Sequence, residues 1–238
     1  MTFKNLMLKK SYSSEKDKLL ESFYIPVLEN AIEYKRIAGY FSSNTFAVAA
    51  KGFSKFFNNG GHMKMIVNVV LRPKDYEEIK KSLKNPEEII EKIMLKDIAD
   101  IENACIKDHV GLLGFMLATK KLEIKVGYIK DPKTTMDILH QKVGIIKDEE
   151  GNKISFSGSN NETKNGWLLN SEKFKVFCSW NPGTEEYISQ DIEDFDEMWN
   201  NNSKKTEVIP FSKAVEKKII TIAPKNKKEL KLVEERIS

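Results

Sequence analysis

Apolar side chains recur at helical spacing at Leu19, Leu20, Phe23, Tyr24, Val27, Leu28 and Ile32, which predicts a helix over Ser14 to Tyr34 with Pro26 as its one blemish. A short buried strand follows over Arg36 to Ser42. Ser43 and Asn44 then stand where a cap belongs, ahead of a helix over Thr45 to Asn58 that carries Phe46, Val48, Ala49, Phe53 and Phe57 and stops at Gly60 and Gly61. The stretch His62 to Leu71 alternates and is rich in β-branched residues, so it reads as a second strand. Strand, helix and strand joined by a crossover of this length form a right-handed parallel unit.

From Pro73 to about Lys120 the pattern is helical, with breaks near Pro86 and near His109 and Gly111. Leu122 to Ile129 is a third strand. Ile138 to Ile146 and Ile154 to Ser157 flank the turn sequence DEEGN and predict a hairpin, and Phe174 to Trp180 is a further strand. Asp191 to Asn200 is a short amphipathic helix with Ile192, Phe195, Met198 and Trp199 on one side. Beyond it the chain turns lysine-rich, with helical stretches near Phe211 to Ile220 and Lys227 to Ile237. The expectation is an α/β domain over residues 1–200, with a mixed, largely parallel central sheet flanked by helices on both faces. A helical insertion falls at about 73–120, and residues 201–238 form a helical connector or docking tail.

A length of 238 residues allows one or two domains, and 40% apolar against 31% charged residues describes a chain that buries an ordinary core. The longest apolar run, Val110 to Ala118, is far shorter than the ~20 residues of a membrane span, and MTFKNLMLKK lacks the apolar core of a signal peptide. Cys105 and Cys178 make neither a disulfide framework nor a metal-ligand spacing, so a reducing, cytoplasmic setting is expected. The net charge of +4 conceals 36 lysines beside three arginines, Arg36, Arg72 and Arg236. Lysine meets phosphate as a point charge and arginine reads bases, but an AT-rich genome yields the same bias, so this excess says little about ligands.

Phosphate-cradling glycine loops, dinucleotide fingerprints and metal-hydrolase histidine pairs are all missing. The pairs Glu149–Glu150 and Glu185–Glu186 belong on solvated turns or polar faces. What remains is His140-Gln141-Lys142 at the start of one hairpin strand, which sets His140 and Lys142 two positions apart on one face. The returning strand ends in Gly158-Ser159-Asn160-Asn161, which the hairpin carries back to His140. An imidazole can attack phosphorus while Lys142, Ser159 and Asn161 bind and stabilise the phosphoryl oxygens, with no metal and no cofactor. A carboxylate should orient the imidazole, with Glu172 the nearest candidate and Asp148 the second. A second triplet, His62-Met63-Lys64, lacks the glycine-serine return, and His109 reads as structural.

The run HQKVGIIKDEEGNKISFSGSNNETKNGW, with Asn170, Glu172 and KVFCSW after it, resembles the phospholipase D-like superfamily, in particular nuclease domains found beside bacterial helicase and restriction modules. Its signature is an H-x-K triplet, an aspartate shortly after, and G-S-x-N; the matches are His140, Lys142, Gly158, Ser159 and Asn161, while the aspartate position falls on Lys147 with Asp148 one place later. RIAGYFSSNTF resembles the first strand and helix of such domains, so the likeness runs from about Tyr34 to Asn200. The resemblance implies a phosphodiesterase with two H-x-K motifs per site, hence a homodimer sharing one site, acting on DNA without a metal and resistant to EDTA. It also implies a helicase or restriction partner. The alternatives are a catalytically silent domain of the same fold that binds nucleic acid or a partner, and a lipid phosphodiesterase, which the absence of a membrane-seeking helix argues against.

Overall fold

The computed structural model describes residues 2–38, 50–68, 115–130, 139–159 and 171–211. Its strands are β1 (Ser11–Ser13), β2 (Glu33–Ala38), β3 (His62–Asn68), β4 (Leu122–Ile129), β5 (Val143–Lys147), β6 (Lys153–Gly158), β7 (Lys173–Cys178) and β8 (Thr206–Pro210). The helices are α1 (Ile25–Glu29), α2 (Ala50–Asn58) and α3 (Glu185–Trp199), with a π-helical turn over Leu20–Tyr24 leading into α1. All eight strands form one sheet in the order β1-β7-β6-β5-β2-β3-β4-β8.

The sheet is mixed, as expected, but its parallel pairing is confined to β2–β3 and β3–β4. The other five contacts are antiparallel, because β5, β6 and β7 follow one another as a meander and β1 and β8 add on as edges. Strand alternation sorts side chains onto two faces. Tyr34, Met63, Met65, Ile146, Phe156 and Phe174 join one core with Phe23, Val27 and Leu28 of the π-turn and α1 and with Phe53 and Phe56 of α2. Ile37, Ile66 and Ile145 face the other way and pack with Phe195, Met198 and Trp199 of α3. Helices therefore cover both faces, and the first core is aromatic: Phe23 lies 5.0 Å from Phe174 and 5.1 Å from both Tyr12 and Phe156, ring centre to ring centre.

Several boundaries depart from the sequence reading for local reasons. The helix expected over Ser14 to Tyr34 is reduced to the π-turn and α1. Pro26 sits at the start of α1, where its missing N–H costs nothing, and the chain leaves the helix at Asn30 to enter β2. Helix α3 begins at Glu185 rather than Asp191. Glu185 and Glu186 lie in its first turn, where the helix dipole favours negative charge. The sheet continues past the expected boundary at residue 200, because Thr206–Pro210 pairs with Lys125 to Ile129 of β4. The remainder of the expected tail and nearly all of the expected insertion at 73–120 lie outside the described residues. No helix among the described residues is long and apolar enough to cross a membrane.

Candidate active site

The β5–β6 hairpin closes as its turn sequence predicts, with Val143 opposite Ser157 and the Gly158 N–H donating to the Lys142 carbonyl at 3.4 Å. That last bond carries the pairing beyond the strand, so the residues before β5 stay beside those after β6. Residues 139–142 themselves are not strand, and the triplet is split by environment. His140 is exposed, whereas Lys142 is buried with only 5% of its surface accessible. One of the three ammonium donors of Lys142 goes to the His140 carbonyl oxygen at 3.1 Å, which ties the two residues together.

Gly158 is a glycine because β7 comes too close for anything else. A Cβ there would stand 2.2 Å from the Lys173 carbonyl oxygen and 2.6 Å from the Phe174 Cα. The close approach lets Ser159 reach the segment before β7. Its N–H donates to the Lys173 carbonyl at 3.1 Å, and its hydroxyl donates to the carboxylate of Glu172. Glu172 is buried and its backbone is clamped from the amino-terminal side: its N–H donates to the Ser14 hydroxyl at 2.8 Å, and its carbonyl accepts from the Ser14 N–H at 2.9 Å. The carboxylate expected to orient the imidazole thus has a serine hydroxyl as a partner. A cleft of about 450 Å³ opens beside this clamp, between Ser11 and Ser13 of β1, Lys16, Ser159, Glu172 and Lys173.

A further charged residue lies beneath the site. Arg36 of β2 is fully buried, sits opposite Gly144 of β5, and lays its guanidinium 5.1 Å from the centre of the Phe156 ring. The ring fills the space above Gly144, where a Cβ would lie 2.2 Å from it. Burial holds the Lys142 ammonium below the usual lysine pKa, the Arg36 charge pushes the same way, and Glu172 partly opposes both. The sequence carried a signal for Arg36 that the strand reading passed over: a charge at an inward position between Tyr34 and Ala38.

Other candidates are elsewhere. Asp148 lies at the far end of β5 from His140, where its carboxylate accepts from the Phe3 N–H at 2.8 Å, the Asn152 N–H at 2.8 Å, the Asn152 side chain at 2.8 Å and the Thr2 hydroxyl at 3.3 Å. Burial works against its charge, but these donors outweigh it and hold its carboxyl below the ordinary aspartate value. His62 begins β3 opposite Glu33, at the same far end, with its Nε2 3.1 Å from Glu123. Asn161 and His109 lie outside the described residues.

One end of the sheet therefore gathers an exposed imidazole, a buried ammonium, a serine hydroxyl and a buried carboxylate. NucT from Helicobacter pylori shares this fold with a TM-score of 0.50 and 17% identity, over 84% of this chain and 97% of its own. The chain has the phospholipase D-like fold. Nuc from Salmonella typhimurium, a phospholipase D family member, matches at 14% identity and a TM-score of 0.44, over 80% of this chain and 90% of its own. Phosphatidylserine synthase from Haemophilus influenzae matches at 11% identity and 0.46, over 94% of this chain and 45% of its own. No family profile matches the sequence, and no curated protein matches it.

Proposed function

We propose that the chain is a metal-independent phosphodiesterase that cuts nucleic acid, DNA in the first instance, with His140 as its nucleophile. One observation carries the reading: exposed His140, buried Lys142, Ser159 and buried Glu172 meet at one end of the phospholipase D-like sheet. Exposure suits a nucleophile that has to reach a polymer, and burial suits a cation whose charge acts with little solvent screening. An imidazole nitrogen attacks phosphorus, the bond to one ester oxygen breaks, and that oxygen leaves with a proton. Water then attacks the phosphohistidine, releasing the phosphomonoester and the free histidine. Lys142 and Ser159 bind the non-bridging oxygens, Asn161 adds its amide, and Glu172 orients the polar groups around them. His62 stands at the other end of the sheet, so the acid that protonates the leaving oxygen is His140 of a second copy in a homodimer. The cellular reading is a cytoplasmic nuclease module acting beside a helicase or restriction partner.

The test is digestion of a DNA oligomer in excess EDTA by wild type and by His140→Ala, with DNA affinity and melting temperature measured on the same samples. Cleavage is expected to persist in EDTA and to vanish in the variant, with affinity and melting little changed because the imidazole is exposed. Cleavage that stops in EDTA overturns the metal-free mechanism. A His140→Ala protein that cuts normally ends the reading, and a wild type that binds DNA without cutting any substrate marks a silent binding domain.

A further inference from the structure

Helix α3 crosses the second face of the sheet on a diagonal. Its first half meets Phe177 of β7 through Tyr187 and Ser155 of β6 through Asp191, and its last turn lies against Lys64 of β3 and Lys125 of β4 through Trp199. The start of β7, at the His140 end, is left to one side of this path, and Lys173 and Lys175 are exposed there. Strand alternation puts Lys173, Lys175 and Phe177 in one row on this face, since Phe174, Val176 and Cys178 belong to the first core. Neither lysine has an ion-pair partner among the described residues. The row begins at the cleft beside Glu172, which Lys173 lines, and ends at two stacked rings. Phe177 and Tyr187 lie 4.9 Å apart with their planes 15° from parallel, and Tyr187 keeps 58% of its surface exposed.

Resting on the nuclease reading above, we propose that this row is a second contact site for nucleic acid, which takes a single strand running away from His140. Lys173 and Lys175 hold successive phosphates, and Tyr187, backed by Phe177, stacks a base. Side chains two positions apart on a strand stand roughly 7 Å apart, a spacing that an extended sugar-phosphate chain can match from one phosphate to the next. Lysine suits phosphates met in no fixed orientation, because its ammonium acts as a point charge on a flexible stem. The ring is already held by one face against Phe177, so a base that stacks on it covers apolar surface at little cost in ordering. Bases inside a duplex are already stacked on their neighbours, so an aromatic platform of this kind selects a single strand.

The carboxylates around the row fit this assignment. Asp17 is paired with Lys9, Glu172 accepts from the Ser159 hydroxyl, and Asp191 accepts from the Ser155 hydroxyl. Glu15, on the wall of the cleft, accepts from the Ser171 hydroxyl at 3.3 Å and leaves the cleft itself a poor seat for an anion. The phosphates therefore ride on the exposed lysines of β7. Glu185 and Glu186 immediately precede Tyr187 in the first turn of α3, so a phosphate is repelled from the ring and the place is left to a neutral base.

The experiment measures, by fluorescence anisotropy over a range of salt, the binding of a labelled oligothymidylate and of a blunt duplex of the same length. The full chain carries His140→Ala throughout, so that the probes survive. Adding Lys173→Ala and Lys175→Ala together should weaken oligothymidylate binding and lower its log–log salt slope by about 1.4, the change expected for two phosphate contacts on a single strand. Tyr187→Ala should weaken it about tenfold with the slope unchanged and leave the duplex unaffected, while Tyr187→Phe keeps the parent's affinity. As the control, Lys204→Ala with Lys205→Ala removes the same charge from exposed positions just before β8, at the opposite border of the sheet, and should change neither affinity nor slope. A lysine-pair variant with the parent's affinity and slope overturns the proposal. So does a Tyr187→Ala protein that binds oligothymidylate as the parent does, or that loses duplex and oligothymidylate equally. Cleavage is not among these readouts. A wild type that cuts nothing while the losses hold keeps the row and loses the nuclease, whereas a nuclease whose binding ignores these three side chains loses only the row.

Discussion

The two ends of the sheet carry the same chemistry in name and differ in how it is used. Each has a His-x-Lys triplet beginning beside a strand, and each has a buried carboxylate. At the far end the carboxylate of Asp148 is consumed by the chain: four donors from Thr2, Phe3 and Asn152 converge on it, tying the amino terminus to the hairpin turn. His62 there has an acidic neighbour, Glu123, and Lys64 lies over the Trp199 ring on the α3 face. At the near end an exposed histidine is tied through its carbonyl to a buried lysine, and the carboxylate is held by a serine hydroxyl beside a cleft. A saturated acceptor holds a fold together, whereas an exposed imidazole can meet a ligand.

Exchanging alanine for histidine at the two ends separates them most sharply. Beside His140→Ala, which should lower the cleavage rate by roughly three orders of magnitude or more, His62→Ala should stay within about twofold of wild type. Equal losses in a steady-state assay would remove the distinction. The far end answers in stability instead. Asp148→Ala leaves buried donors without an acceptor and should cost roughly 2–4 kcal/mol by urea unfolding, with the rate per folded molecule unchanged. Because the folded Asp148 carboxyl is depressed, its stabilisation is complete above the unfolded aspartate value and is lost as pH falls through the folded one. The acid limb of the stability profile should therefore be shallower in Asp148→Ala, and an unaltered limb would count against the assignment. The smallest effect is expected for Gly158→Ala. Forcing β6 and β7 apart there should cost about 1–3 kcal/mol and disturb the Ser159–Glu172 contact, so melting temperature and rate should fall together.

How much of this was legible in the chain depended on how local each feature is. Leu122–Ile129 was found at its predicted limits, because its alternation is sustained and ends at clear breaks. The hairpin was legible from DEEGN and the strands flanking it, and with it the meeting of His140 and Lys142 with Gly158 and Ser159. Strands β1 and β8 were not, since Ser11–Ser13 is too short to show any period and Thr206–Pro210 follows a lysine pair that reads as a connector. The pairing of Glu172 with Ser159 follows from the tight β6–β7 contact, which no spacing announces. Arg36 showed only as a charge at an inward strand position. Its place opposite Gly144 comes from β2 lying beside β5, and those strands are far apart in sequence and joined by no turn.

The two edge strands of the described sheet bear on how copies of this molecule would meet. An open sheet offers unpaired backbone groups at each border, and another chain can extend it there. Here one border is only three residues long, and the other ends on Pro210, which has no N–H to give. Among the described residues both borders are poor templates for a neighbour's strand. The homodimer proposed above would then be made at the ends of the strands, where His140 lies, rather than by strand pairing along these two borders.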